Sequence, residues 1–163
     1  MIAGFGRRRT PERAALHTAL ARVAQARGDA DAALEQLETA SKMDISNTSA
    51  LKALADLARE KGNIDRAEHA YRSLLVNLRQ REGTAGLVGP AEIQMELARI
   101  ADERGKKEKA AELRESAIES LARDDAQAPS LQKNLREHGE VQLLRRAIET
   151  RLEHVTVPAR RAR

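Results

Sequence analysis

The chain has 163 residues, enough for one ordinary domain with its own core or for one short repeat array. Hydrophobic residues make up 41% of it but aromatics only 1%, and the strong helix formers Ala, Leu, Glu, Arg, Lys and Gln dominate, which excludes both a sheet-rich fold and a disordered chain. There is no cysteine, so a disulfide framework, thiol chemistry and a thiolate-bound zinc are excluded as well.

The formal net charge of +4 hints at nucleic acid until it is located. Residues 1–13 carry Arg7, Arg8, Arg9 and Arg13 against Glu12, a sum of +3, and residues 157–163 carry Arg160, Arg161 and Arg163 with no acid, another +3. Taken from +4, those two segments leave −2 on residues 14–156. The basicity belongs to the tails, and the body is slightly acidic.

In chain order, residues 1–10 read as a basic N-terminal tail. Its arginines could suggest a twin-arginine export signal, but no apolar stretch of useful length adjoins them, and Thr-Pro-Glu-Arg and an amphipathic helix follow. No segment approaches the roughly 20 apolar residues of a membrane span, so a cytoplasmic protein without membrane contact is expected. Four glycines then pace the chain. Gly28 and Gly62 are 34 residues apart, Gly105 and Gly139 are 34 apart, and Gly62 and Gly105 are 43 apart, nine more. Each follows an apolar-periodic stretch that ends in polar residues, such as Arg59-Glu60-Lys61 before Gly62. A helix ends there in a left-handed residue, which glycine adopts without a Cβ clash, and a second helical pattern starts two or three residues later. The repeating unit is helix, tight turn, helix.

The extra residues fall at Glu82–Pro90, where three glycines and a proline in nine predict a loop inserted on one face; the alternative is a partner-contacting loop with Leu87-Val88 as its apolar tip. Pro90 suits the first turn of the helix after it. Asn47-Thr48-Ser49 reads as a helix-start cap, not as a glycosylation acceptor. Pro129 delays the first helix of the last unit. The second helix of that unit, with Val141, Leu143, Leu144, Ala147, Ile148 and Leu152, is expected to lie over the third hairpin. Residues 157–163 read as a basic C-terminal tail.

With each glycine set at position 15 of its unit, the rest aligns. Position 7 is Leu20, Leu54, Leu97 and Leu131, a stripe expected on the inner face of each first helix. Position 8 is Ala21, Ala55, Ala98 and then Gln132; position 20 is Ala33, Ala67, Ala110 and then Leu144. Small residues at both positions let two helix backbones approach closely. On these residues, residues 14–152 resemble the tetratricopeptide repeat family, a 34-residue helix–turn–helix unit with Leu at 7, small residues at 8 and 20, and an aromatic at 24, here Tyr71 in the second unit. The match is divergent: position 4 is His17, Leu51, Gln94 and Ala128, never Trp, and position 32 is never Pro. The resemblance implies an all-α, right-handed α-solenoid of about four hairpins, the repeat domain covering residues 11–156 with units 14–47, 48–81, 91–124 and 125–156. The fourth unit, which loses both small residues, is expected to be a degenerate cap.

The resemblance also implies a concave groove built by the first helices, mainly through positions 2, 5, 9, 12 and 13, where a peptide or helix of a partner protein would lie. Carried over to this chain, its candidate contacts are Thr18 and Arg22 in the first unit, Lys52, Asp56 and Arg59 in the second, and Met95, Arg99 and Asp102 in the third. The asparagines with which one subgroup clamps a peptide's terminal carboxylate are missing, which argues against that specificity. Arg22, Lys52, Arg59 and Arg99 are the expected hooks for carboxylates on a partner of mixed charge. The same charges would otherwise serve solubility alone.

No catalytic, cofactor or metal site is expected. His17, His69, His138 and His154 include no i, i+4 pair, and His17 takes a position at which a packed side chain is expected. No Gly-rich phosphate loop or Gly-x-Ser-x-Gly elbow is present. A protein-binding scaffold is therefore expected. The alternatives are an element that self-associates, or a fragment of a longer repeat array. Nucleic-acid binding through the tails is disfavoured by the acidic body and the scarcity of stacking aromatics.

Overall fold

The computed structural model describes residues 10–80, 89–123 and 125–160. Among them lie eight α-helices and no strand: α1 Thr10–Ala26, α2 Ala30–Met43, α3 Thr48–Glu60, α4 Ile64–Gln80, α5 Pro90–Glu103, α6 Lys107–Arg123, α7 Ala128–Glu137 and α8 Val141–Arg160, with a short 3-10 turn at Asp125–Gln127. The fold class is all-α, as the composition requires, and the helices pair into four hairpins. The chain divides into two compact units, Met1–Asn77 and Leu78–Arg163, the boundary falling near the end of α4.

The four hairpin turns are built alike. Gly28, Gly62, Gly105 and Gly139 have φ of 78°, 73°, 71° and 67°, and no other described residue has positive φ. Each glycine N–H donates to the carbonyl three residues back, Gly62 to Arg59 at 2.9 Å for example. The following N–H donates to the carbonyl five residues back: Asp29 to Ala24 at 3.0 Å, Asn63 to Ala58 at 2.8 Å, Lys106 to Ala101 at 2.8 Å and Glu140 to Leu135 at 2.9 Å. This is the Schellman arrangement, and it satisfies carbonyls that a helix end leaves without partners. In the first two hairpins the residue after the glycine also caps the second helix. Asp29 Oδ1 accepts from the Ala32 N–H at 3.0 Å, and Asn63 Oδ1 accepts from the Arg66 N–H at 3.2 Å.

In the first unit, Ala21 of α1 and Ala33 of α2 are both fully buried, as are Ala55 of α3 and Ala67 of α4, so the small residues stand where backbones come close. A cluster of Ala14, Ala40 and Ala50, with Met43 against it, joins α1, α2 and α3. The connection between α2 and α3 is held by Asn47, whose Oδ1 accepts from the Ala50 N–H at 3.0 Å, and by Asn77 of α4, whose Nδ2 donates to the Ile45 carbonyl at 2.9 Å. Asn47 is thus the cap that its sequence context predicts. One expectation fails here: Leu20, at position 7, is 53% exposed, while Leu54 and Leu131 at the same position are buried. Nothing among the described residues covers that side of α1.

In the second unit, Ala98 and Ala101 of α5 meet Ala110 of α6 with Leu113 beside them. A larger cluster gathers Ala91 and Met95 of α5, Ala117 of α6, Ala128, Leu131 and Leu135 of α7, and Ala147 of α8, with Leu143 and Leu144 packed against it. Pro90 takes the first turn of α5 and Gly89 is its cap residue, with no side chain to offer. The missing cap arrives from elsewhere in the chain: Gln127 Oε1 accepts from the Ala91 N–H at 3.1 Å. The rest of the inserted loop, including Leu87 and Val88, lies outside the described residues.

Two sequence expectations for the last hairpin need correction. Val141, Ile148 and Leu152 do not lie over the third hairpin but are exposed, and only Leu143, Leu144 and Ala147 turn inward. The residues of α8 that pack follow the 3.6-residue period of one stripe, whereas the expectation gathered apolar residues from around the helix. The helix also runs to Arg160, so residues 157–160, expected to open the basic C-terminal tail, are helical.

Candidate interaction surface

In the first unit, Thr18 is buried and its Oγ1 donates to the Ala14 carbonyl one turn back at 2.9 Å. Buried there, it lines no open groove. Arg22 is exposed on α1. On α3, Lys52, Asp56 and Arg59 recur at i, i+4 and i+7, so one stripe of the helix carries all three, each half-buried. Lys52 Nζ donates to Asp56 Oδ2 at 2.7 Å and to Oδ1 at 2.9 Å, and the Tyr71 hydroxyl of α4 donates to Asp56 Oδ1 at 2.7 Å. Tyr71, the aromatic at position 24, therefore fixes the carboxylate from behind while the Lys52 ammonium covers it in front. Arg66 of α4 adds an ion pair to Glu38 of α2, Nε to Oε1 at 2.8 Å.

In the second unit the predicted contacts fare differently. Met95 is fully buried in the α5–α7 cluster, and Arg99 is only 9% exposed. Neither lines an open surface, which corrects the sequence reading at both positions. The reason for Arg99 is chemical. Its Nη1 donates to Glu96 Oε1 at 2.6 Å, its Nη2 to Asn134 Oδ1 at 2.8 Å, and its Nε and Nη2 to the two oxygens of Glu140 at 3.2 and 2.7 Å. Asn134 Nδ2 closes the circuit by donating to Glu96 Oε1 at 2.9 Å. A buried guanidinium needs opposite charge and hydrogen bonds together, and this one has a two-point carboxylate contact, a second carboxylate and an amide. Arg99 is a joint between α5 and the last hairpin. Asp102 is exposed but paired with Arg114 of α6, through Nη2 and Oδ2. Arg114 occupies position 24, where Tyr71 stands one hairpin earlier, so in both hairpins the second helix reaches back to an acid on the first.

Sequence reasoning missed Glu96, Asn134, Glu140 and Gln127. The pair Glu96 and Arg99 at i, i+3 was visible as a helix-surface pair, but its burial depends on Asn134 and Glu140, 35 and 41 residues further along. Glu140 could have been flagged by its place directly after a turn glycine, where Asp29 and Asn63 cap. The histidine expected to pack, His17, is half-buried with Nδ1 2.7 Å from Gln36 Oε1.

No protein-family model and no curated protein matches the sequence. Solved structures do. Against a crystal structure of MamA protein the chain is 17% identical over 90% of its length and 77% of that chain, with a TM-score of 0.57. Against the Podosopora anserina putative kinesin light chain with nearly identical TPR-like repeats it is 21% identical over 91% of its length and 77% of that chain, again at 0.57. The structure reported for Pseudomonas aeruginosa pilF matches at 18% identity and a TM-score of 0.56 over 88% of this chain and 62% of that one. At such identities the likeness is one of fold. The chain has the all-α, helical-repeat fold of tetratricopeptide-repeat proteins, which is the fold its glycine spacing and small-residue pattern predict. No helix of the described residues is long and apolar enough to cross a membrane.

Proposed function

We propose that this chain is a binding scaffold, not an enzyme, and that it holds a segment of a partner protein against the first helices of its hairpins. The carrying observation is the α3 stripe of Lys52, Asp56 and Arg59: three charges on one line of a packed helix, all partly open to solvent. Tyr71 orients Asp56 from the neighbouring helix. Preorganisation is the physical advantage of such a surface. The helix is already fixed by its packing, so a partner is met without the cost of ordering a loop.

The stripe offers two cations around one carboxylate. A peptide or helix of mixed charge fits it, with an acidic side chain taken by Arg59 or Lys52 and a basic one by Asp56. Arg22 on α1 is a further accessible charge, at the register position of Asp56. Met95, Arg99 and Thr18 drop out as contacts because they are buried. The fold likeness supports a protein partner, and the near absence of aromatics leaves a nucleic acid little to stack on.

The test is affinity capture from nuclease-treated lysate with three baits: the full chain, the Lys52→Glu/Arg59→Glu variant, and a chain lacking residues 1–9 and 161–163. The partner retained by the full chain should be retained by the tail-less chain and reduced about tenfold or more by the double reversal, a change of roughly 1.4 kcal/mol. Equal retention by the reversed variant would refute the α3 stripe.

A further inference from the structure

The carboxylate at the centre of the α3 stripe is already occupied from within the chain. Lys52 Nζ lies 2.7 Å from Asp56 Oδ2 and 2.9 Å from Oδ1, the two-point contact that a partner's base would make. The Tyr71 hydroxyl, 2.7 Å from Oδ1, takes a further one of the roughly four acceptor positions. Yet the pair is not sealed off: the Asp56 side chain keeps 39% of its surface open and that of Lys52 25%.

The two donors differ in how firmly they are held. Tyr71 is 2% exposed, so the group that aims the carboxylate is out of a partner's reach. Lys52 carries its ammonium on a flexible four-carbon stem. Within a helix, a lysine four residues before its acid is the weaker of the two orientations, and pairs this open to water are worth little. We propose, on the footing of the binding role given above to the α3 stripe, that Lys52 holds the place of the partner's base. In the free chain it covers Asp56. A partner's arginine or lysine displaces it and takes both oxygens, while Tyr71 keeps the carboxylate aimed.

The exchange defines the partner's chemistry. A segment with both a base and an acid replaces the internal pair by two intermolecular ones, because Lys52, once displaced, turns to the acid. A purely basic segment strands Lys52 away from its carboxylate, and a purely acidic one meets a lysine already engaged. The stripe thereby discriminates against both. Asp56 stands four residues beyond Lys52 on α3, a rise of about 6 Å, so the partner's base and acid are expected about 6 Å apart along its segment.

N-acetylarginine amide, a base with no acid beside it, isolates the displacement, and N-acetylcitrulline amide, its uncharged analogue, is the blank. The chain has one tyrosine, so the Tyr71 ring signals and the amide of residue 56 report the site in an NMR titration at constant ionic strength. Lys52→Met should half-saturate at a probe concentration about threefold or more below that of the full chain, since its carboxylate is open throughout. Lys52→Arg, which leaves a cation on Asp56, and Lys133→Met, which removes the same charge from α7, should half-saturate as the full chain does. Circular dichroism checks that each variant folds, and Lys52→Gln replaces Lys52→Met should the latter unfold. Equal half-saturation in the full chain and Lys52→Met overturns the displacement, as does the absence of a saturable shift in Lys52→Met. The binding role of Asp56 is tested apart. Asp56→Asn should abolish the shift, and where it does so while Lys52→Met gains nothing, the displacement falls and that role stands. A probe that shifts Asp56→Asn as it does the full chain overturns both.

Discussion

A methyl group added at Gly62 would meet nothing within 4 Å, and the same holds at Gly28, Gly105 and Gly139. What requires glycine at these positions is the backbone alone, since their left-handed φ costs other residues roughly 1–2 kcal/mol. Gly62→Ala should therefore lower stability by about 1–2 kcal/mol in urea denaturation, with Asn at the same position costing less. Gly89 presents the opposite case. Its φ is ordinary, but a Cβ there would come within 2.8 Å of the Gln127 side chain that caps α5. The buried network is the costlier target. Arg99→Ala leaves Glu96 and Glu140 without their cation and should destabilise by about 3–5 kcal/mol; a loss below about 1 kcal/mol in the same assay would contradict the network. The four turn glycines were legible in the sequence because few residues other than glycine adopt that conformation. Arg99 was misread because its place was decided by Asn134 and Glu140, and no local pattern connects residues so far apart.

At the scale of elements, eight helices followed from a period of 3.6 and from the turn signals between them. The faces of those helices were harder to read. Leu54, Leu97 and Leu131 sit inside and Leu20 outside at the same register position, because burial depends on the neighbour a helix has and not on its own pattern. The small-residue contacts, by contrast, were legible. Ala98 lies with Ala110 in one cluster with no exposed surface on either, so Ala98→Leu should overpack the hairpin and cost about 1–3 kcal/mol, read from the shift in the denaturation midpoint. A neutral result would mean that the register is wrong. Truncation before Gln127 removes α7 and α8, uncovers Ala91 and Met95, and strips Arg99 of Asn134 and Glu140. That protein should aggregate or unfold without a cooperative transition, and a well-behaved one would contradict the role given to the last hairpin.

Across the whole molecule, the charge is what a reader of composition alone would misjudge. A net +4 resolves into two basic ends around a body of −2, within which Lys52 pairs with Asp56, Arg99 with Glu96 and Glu140, and Arg114 with Asp102. The fold was legible at this scale; the partner was not, because a charged helix face looks the same whether it meets water or a protein. The central claim is that the body binds a protein and the tails do not carry the interaction. The most direct measurement is a salt titration of the captured partner against the full chain and against the chain lacking residues 1–9 and 161–163. Both should bind alike, with a shallow and common dependence on salt. Loss of binding with the tails, or the steep salt dependence of phosphate contacts, would contradict the account.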